Sequence, residues 1–158
     1  MSDKSREFHL FSPDQTTAFA QAFAPRLQPG DVILLSGPVG AGKSHFARSL
    51  ILALLNTPED VPSPTYTLVQ TYPGRSGEIW HADLYRLGDT SEVEELGLLD
   101  AFDNAICLVE WPDRLHTLAP DTALWITLAP GSADDARVMT ARWTSPEWDA
   151  KLKDLPYE

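Results

Sequence analysis

One short segment of the sequence contains residues whose types and spacing suit phosphate binding. The run Gly-Pro-Val-Gly-Ala-Gly-Lys-Ser at 37–44 fits the pattern G-x-x-x-x-G-K-S/T. Its glycines let the backbone turn tightly, so that the N–H groups converge on the β-phosphate of a nucleoside triphosphate. The residues that we expect to bind the nucleotide are Gly37, Gly40, Ala41, Gly42, Lys43, Ser44 and His45.

Lys43 is the residue of this segment that we expect to act directly on the reacting phosphates. It is the only lysine between residues 5 and 150. Its ammonium group would reach the β- and γ-phosphates, while the Ser44 hydroxyl would bind Mg²⁺. His45 follows in the first helical turn, where we expect it to contribute its backbone N–H rather than its ring.

The residues on either side of this segment predict the structural context that the pattern requires. Residues 31–36 are mostly apolar and predict a short buried strand, and residues 45–55 predict a helix. A helix that begins beside the phosphates adds a partial positive charge at its N-terminus. Strand, loop and helix therefore occur in the order typical of a nucleotide-binding site.

Two carboxylates follow predicted strands and are candidates to complete the site. Glu110 comes directly after the apolar residues 106–109, where we expect it to bind Mg²⁺. Asp83 ends another predicted strand and is a candidate to orient or deprotonate the attacking water. Spacing alone leaves an alternative equally open, in which Asp83 pairs with Arg86 to cap a turn.

Three further residues have less distinctive surroundings. Thr65 lies in a loop after the predicted nucleotide-binding helix, where a switch-like threonine could sense the γ-phosphate, although such a residue also commonly begins a strand. His81 lies within a predicted strand, which is more typical of a core or surface histidine than of a ligand. Cys107 is surrounded by apolar residues, which indicates a packed thiol rather than a nucleophile.

The composition indicates one globular domain. The chain has 158 residues, of which 43% are hydrophobic, so we expect a single domain over 1–158 with loose ends at 1–6 and 156–158. No apolar run approaches the length of a membrane span, and the N-terminus lacks the apolar core of a signal peptide. The single cysteine suits a reducing compartment. We therefore expect a cytoplasmic location and no membrane partner.

The net charge of −11 limits how the protein could act on a nucleic acid. A protein that grips phosphate backbones by itself usually has a basic face, and the eight arginines here are scattered. An acidic surface suits contact with a basic partner protein, and it equally suits solubility. If the substrate is a nucleic acid, we expect another subunit to hold it.

The periodicity of apolar residues predicts an α/β fold. A strand is expected at 7–11, and Ser12 would cap a helix that starts immediately afterwards. Besides the elements that flank the loop, we expect strands at 65–72, 78–84, 106–109, 123–128 and 137–143, a hairpin connection at 73–77, and helices from 91 onward and at 146–155. This order predicts a P-loop NTPase-like sandwich with a mixed, largely parallel central sheet flanked by helices.

Four motifs together resemble the TsaE (YjeE) family over about Phe8 to Arg142. They are the loop at 37–44, Ser-Pro-Thr-Tyr-Thr-Leu at 63–68, His-Ala-Asp-Leu-Tyr-Arg at 81–86 and Leu-Val-Glu-Trp-Pro at 108–112. The resemblance implies a bacterial ATPase that supports synthesis of N6-threonylcarbamoyladenosine in tRNAs that read ANN codons. It also implies work with TsaB and TsaD, where TsaD transfers the threonylcarbamoyl group that TsaC supplies.

The resemblance also implies roles for particular residues. It implies Ser44 and Glu110 as Mg²⁺ ligands, Thr65 as a switch-like threonine and Asp83 as a residue needed for turnover. The tail after Trp143 carries no family motif. The segment Phe11–Thr17 and the late strands are the candidate adenine contacts.

Three rival functions use the same loop. A small-molecule kinase usually needs an arginine-bearing lid, and no stretch after Asn104 concentrates arginines. A GTPase commonly selects guanine through a Lys-x-Asp loop, and none of the four lysines is followed by x-Asp. A nucleotide-sensing assembly module would differ from a free-standing ATPase by weak turnover alone and faster turnover with its partner.

Overall fold

A central mixed sheet organises the protein. The computed structural model describes residues 3–38, 40–62 and 68–158. The strands are β1 (Lys4–Leu10), β2 (Val32–Ser36), β3 (Val69–Gly74), β4 (Gly77–Asp83), β5 (Ile106–Glu110), β6 (Leu124–Pro130) and β7 (Arg137–Trp143). The helices are α1 (Pro13–Phe23), α2 (Lys43–Leu54), α3 (Ser91–Glu95), α4 (Leu98–Asn104) and α5 (Glu147–Lys151), with 3-10 segments at Ala24–Arg26 and Pro112–Leu118.

The described strands form one seven-stranded sheet in the order β1-β7-β6-β2-β5-β4-β3. The four central strands β6, β2, β5 and β4 are mutually parallel, and the antiparallel pairs lie towards the two edges. The predicted mixed sheet with a parallel centre is therefore confirmed. All four central strands end at the same edge, so their C-terminal residues lie together.

Helices cover both faces of the sheet, which explains why the strands β2 and β5 are almost wholly apolar. Every residue of β5 is buried, as are the first four residues of β2. One apolar cluster joins the sheet to α1, α2 and α5, and a second cluster packs α3 and α4 against the other face. A strand buried on both faces reads as a continuous apolar run, in contrast to the alternation of a strand with one wet face.

The predicted elements agree with the structure in most places and differ in a few. The hairpin connection is shorter than the predicted 73–77, because β3 continues to Gly74 and β4 begins at Gly77. Helix α4 and the 3-10 segment after β5 were not predicted. Both are short and lack the long periodic pattern that identifies a helix in sequence. Residues 65–67 of the predicted strand lie outside the described residues.

The expectation of loose ends is wrong for the terminal residues that the structure places in contacts. Residues 4–6 extend β1 and pair with the end of β7. At the other terminus, the His9 N–H donates to the Tyr157 carbonyl at 2.7 Å, and the Arg6 guanidinium contacts the Glu158 carboxylate at 3.0 Å. The two termini therefore hold each other along the sheet edge.

Cys107 lies in the core, as its apolar surroundings predicted. Its side chain is fully buried in β5, and Sγ lies 3.3 Å from the Ala101 carbonyl oxygen. Burial, with a smaller contribution from the Glu78 charge, raises the pKa of the Cys107 thiol to about 12. The thiolate that a nucleophile requires is thus disfavoured.

In the described part of the chain, no helix combines the length and apolar character needed to cross a membrane.

A buried ion pair connects the C-terminal helix α5 to the residue that precedes β2. The Lys151 Nζ lies 2.7 and 2.6 Å from the two carboxylate oxygens of Asp31, which precedes β2. Only 13% of the lysine side chain and 2% of the aspartate side chain are exposed. The Gln28 backbone N–H also donates to Asp31. Removal of the lysine would leave a buried carboxylate without its counter-charge.

We expect Lys151→Met to lower the free energy of unfolding by about 3 kcal/mol, because it leaves the Asp31 charge uncompensated in a buried site. Urea unfolding measures this change. Lys4→Met is the matched control, since Lys4 pairs with Asp149 at 2.6 Å but both side chains are more than two-fifths exposed. The control should have a much smaller effect. Equal losses in the two variants would contradict the assignment.

Candidate nucleotide-binding site

The loop between β2 and α2 adopts a conformation that needs glycine. Gly37, Gly40 and Gly42 have φ angles of +144°, +84° and +95°. At Gly37 a side chain would also collide with a neighbouring strand, because an added Cβ would lie 2.4 Å from the Leu128 carbonyl oxygen. An added Cβ at Gly40 would meet no described atom within 4 Å. Gly37 thus permits close packing against β6, while Gly40 serves the turn itself.

Arg137, the first residue of β7, forms a hydrogen bond to this loop, and the sequence did not predict this role. Its Nη2 donates to the Gly40 carbonyl oxygen at 3.1 Å, and its Nη1 donates to the carbonyl oxygens of Asp134 and Ala136 at 2.8 Å. Gly40 and Arg137 are 97 residues apart in sequence. The contact follows from the antiparallel return of β7 beside β6, and no local pattern around Arg137 signals it.

Helix α2 begins at Lys43, directly after the loop, and its first turn contains no acidic residue. That composition suits an anion at the helix N-terminus. Ser44 is exposed there. The ring of His45 is engaged elsewhere, since its Nε2 lies 3.1 Å from the Pro13 carbonyl oxygen and 3.3 Å from the Thr17 hydroxyl. The contribution of the His45 backbone N–H to phosphate binding stays a prediction.

Seven of the predicted site residues line one cleft of about 540 Å³ at the C-terminal edge of the parallel strands, whereas Gly37 and Ala41 do not. The lining residues are Gly40, Gly42, Lys43, Ser44, His45, Asp83, Tyr85, Glu110 and Trp111. A larger groove of about 920 Å³ lies at the opposite end of β6 and contains none of the predicted site residues. Chemistry rather than size therefore identifies the candidate site.

Lys43 is buried in the cleft, and its Nζ lies 4.0 Å from the centre of the Trp111 ring. Trp111 in turn packs against Tyr85, with ring centres 4.7 Å apart. An ammonium over an indole face is attracted by the π electrons. Neither aromatic residue was predicted to take part, although both lie within the motifs at 81–86 and 108–112.

Asp83 and Glu110 lie side by side as the last residues of β4 and β5. They are register partners in the parallel pair β4–β5, and both are buried. The Tyr85 backbone N–H donates to Asp83 Oδ1 at 3.0 Å. Asp83 therefore caps the turn that follows β4 through the Tyr85 N–H and also lines the cleft, and its role towards water stays a prediction.

His81 has a closer relation to the site than its sequence context suggested. Its Nε2 lies 2.7 Å from Glu110 Oε2, and both side chains are buried. The other ring nitrogen, Nδ1, is buried and has no hydrogen-bond partner among the described residues. Sequence reasoning treated His81 as an ordinary strand histidine, because its partner lies on another strand, 29 residues away.

The cleft supplies the oxygen ligands that Mg²⁺ prefers, namely the Ser44 hydroxyl and the Glu110 carboxylate. Within the described ranges, no group of three or more His, Cys, Asp and Glu side chains could hold a metal ion unaided. Mg²⁺ at nucleotide sites usually takes one or two protein oxygens together with phosphate oxygens and waters. The residues present fit that mode. Thr65, the predicted switch residue, lies outside the described residues.

A smaller groove adjoins the cleft on the other side of the loop. It is lined by residues from the start of α1, the loop with the start of α2, the second half of β6 and the start of β7, namely Pro13, Thr16, Ala41, Gly42, His45, Leu128, Asp135 and Arg137. These belong to, or neighbour, the regions expected to contact adenine.

The chain is similar to one protein family and to individual proteins that carry the name of that family. Residues 10–139 match the family "Threonylcarbamoyl adenosine biosynthesis protein TsaE". A tRNA threonylcarbamoyladenosine biosynthesis protein TsaE of Rickettsia bellii is 38% identical over 119 residues, covering 75% of this chain and 83% of that protein. The TsaE protein of Bacillus subtilis is 35% identical over 153 residues, covering 96% of this chain and 94% of the relative.

The fold is also similar to a solved structure. The crystal structure of Bacillus subtilis YdiB superposes with a TM-score of 0.81 at 26% identity, covering 98% of this chain and 95% of that one. The predicted P-loop NTPase-like fold is thereby confirmed.

We expect Gly37→Ala to lower the free energy of unfolding by about 3 kcal/mol or more, through a strained φ together with overlap against the β6 backbone. Gly40→Ala is the matched control. It also has a positive φ but open space, and should cost about 1–2 kcal/mol. Urea unfolding of both variants tests the difference, and a Gly37→Ala protein as stable as Gly40→Ala would refute the proposed contact.

Proposed function

This chain belongs to the TsaE family of threonylcarbamoyl adenosine biosynthesis proteins, and from that premise we propose that it is a Mg²⁺-dependent ATPase. The observation that carries the proposal is the convergence of Lys43, Asp83 and Glu110 on one cleft beside the glycine loop. A buried cation and two buried carboxylates are costly unless a ligand or reaction uses them.

In the proposed reaction, water attacks the γ-phosphorus of ATP, the bond from that phosphorus to the β–γ bridging oxygen breaks, and ADP and phosphate leave. The loop N–H groups and Lys43 hold the phosphates and offset the charge that develops on their oxygens. Asp83 orients the water and accepts its proton. Ser44 and Glu110 would hold Mg²⁺, which supplies further neutralisation of phosphate charge. Thr65 would sense the γ-phosphate, a proposal that rests on its motif alone.

We place the adenine of ATP in the groove between the start of α1 and the start of β7. That groove adjoins the phosphate loop, and Arg137 lines it while bonded to the loop. A guanidinium plane stacks well on aromatic rings. The lack of a Lys-x-Asp sequence supports adenine over guanine.

The protein partner would be a TsaB–TsaD-type complex, and tRNA would be held through that complex. The net charge of −11 supports this arrangement, because the isolated chain lacks the basic composition that tRNA binding usually needs. The proposed location is the cytoplasm. ATP turnover would then be weak in the isolated chain and faster in the complex.

The decisive test measures ATP hydrolysis by the purified chain with and without a purified TsaB–TsaD-type complex. We expect slow hydrolysis alone, clear stimulation by the complex, and loss of both in Lys43→Ala, because that variant removes the cation that holds the phosphates. Lys153→Ala, an exposed lysine at the C-terminus, is the matched control and should behave as wild type. Undiminished hydrolysis or ATP affinity in a folded Lys43→Ala protein would refute the proposal.

Separate substitutions distinguish the two carboxylates. We expect Glu110→Gln to weaken Mg²⁺-dependent ATP binding while sparing metal-free binding, because an amide oxygen carries no negative charge. Asp83→Asn should keep Mg²⁺-dependent binding and lower partner-stimulated turnover by roughly two to four orders of magnitude. Calorimetry with and without Mg²⁺, together with turnover measurements, checks both variants. The opposite pattern would show that the two roles are reversed.

A further inference from the structure

The hydrogen bond between His81 and Glu110 joins the two strands at the base of the cleft. The Nε2 to Oε2 distance is 2.7 Å, and the two side chains are 3% and 4% exposed. A carboxylate oxygen can only accept, so the imidazole Nε2–H is the donor. Among the described residues, His81 is the one side-chain hydrogen-bond partner of the Glu110 carboxylate.

The sheet register explains why these side chains meet. Asp83 pairs with Glu110, and His81 pairs with Leu108 on the same two strands. His81 and Asp83 are two residues apart, so both point to the same face of the sheet. That face also carries the apolar cluster that contains α2. His81 therefore approaches Glu110 from within the core, behind the cleft.

We propose that His81 is a positioning residue that fixes the Glu110 carboxylate in the orientation used to bind Mg²⁺, an inference that rests on the proposed function. Glutamate is one methylene longer than the aspartate common at this position in nucleotide-binding sites, and its side chain has more rotamers to lose on ordering. A hydrogen bond to Oε2 removes part of that freedom before metal binds. Partners of this kind orient metal ligands in many sites.

A purely structural role for His81 is the competing explanation. A histidine with only a structural role in a buried site would be expected to form hydrogen bonds with both ring nitrogens. Here Nδ1 is buried without a hydrogen-bond partner among the described residues, which costs stability. Among the described residues, the hydrogen bond that the ring makes is therefore the one to the proposed metal ligand.

The test compares His81→Asn with His81→Gln. The glutamine amide nitrogen can occupy the region of Nε2, whereas the asparagine amide is too short to reach Glu110. The readout is Mn²⁺ affinity in the presence of ADP, measured by electron paramagnetic resonance of free Mn²⁺. We expect His81→Asn to weaken Mn²⁺ binding by about 10–100-fold and His81→Gln to restore most of it. ADP affinity in EDTA should be unchanged in both variants.

A double-mutant cycle separates positioning from general damage. If His81 acts through Glu110, His81→Asn should have no further effect on Mn²⁺ affinity in a Glu110→Gln background. An equal loss in that background, a parallel loss of metal-free ADP binding, or unchanged Mn²⁺ affinity in His81→Asn would each overturn the inference. If Glu110→Gln alone leaves Mn²⁺ affinity at the wild-type value, the metal role in the proposed function fails first, and the inference fails with it.

Should His81→Asn fail to fold, the wild-type protein decides the matter. Nitrogen-15 resonances of the histidine side chains can be recorded with ADP, and His81 can be assigned by its loss in His81→Gln. We expect the His81 Nε2 resonance to shift when Mg²⁺ is added, because its acceptor oxygen belongs to the metal ligand. A resonance that does not move would overturn the inference.

Discussion

Parallel pairing of β2, β5 and β4 is the constraint on which the candidate site depends. The register aligns Leu35 of β2 with Glu110 of β5, and Glu110 with Asp83 of β4. Because the three strands run in the same direction, their ends lie at one level of the sheet. The loop that leaves β2 therefore turns directly over the two carboxylates. Parallel strands need helices on both faces, so the site is maintained by the whole sandwich.

Local chemistry was readable from the sequence, whereas contacts between distant strands were not. The glycine loop, the strand before it and the helix after it form one continuous segment, and each requirement of the motif lies within that segment. Glu110 and Asp83 could be predicted because each is a carboxylate at the end of a strand that the sequence indicates. Arg137 and His81 were missed because their partners, Gly40 and Glu110, become neighbours only after the strand order is known. No periodicity encodes that order.

The site concentrates ionisable groups where burial makes them expensive. Lys43, Asp83, Glu110 and His81 are each less than a tenth exposed. The structure offsets part of this cost internally, through the His81–Glu110 hydrogen bond, the Tyr85 N–H to Asp83, and the Trp111 ring beneath the Lys43 ammonium. These contacts are individually modest, and each is made to a group proposed to contact phosphate, metal or water. Each of these buried ionisable groups therefore has a polar or aromatic partner inside an otherwise apolar sandwich.

Because the protein is strongly acidic, nucleotide binding would depend more on these local groups than it would in a neutral protein. The proposed ligand ATP is a polyanion, which a chain with a net charge of −11 would repel at long range. Attraction would then come from groups within a few ångströms of the phosphates, because at that distance they outweigh the repulsion by the net charge. These groups are the loop N–H groups, the N-terminus of α2 and Lys43. The two carboxylates would oppose ATP unless a divalent cation lies between them and the phosphates. Under the proposed function, the acidic composition and the paired carboxylates would therefore favour the magnesium complex of the nucleotide over the free anion.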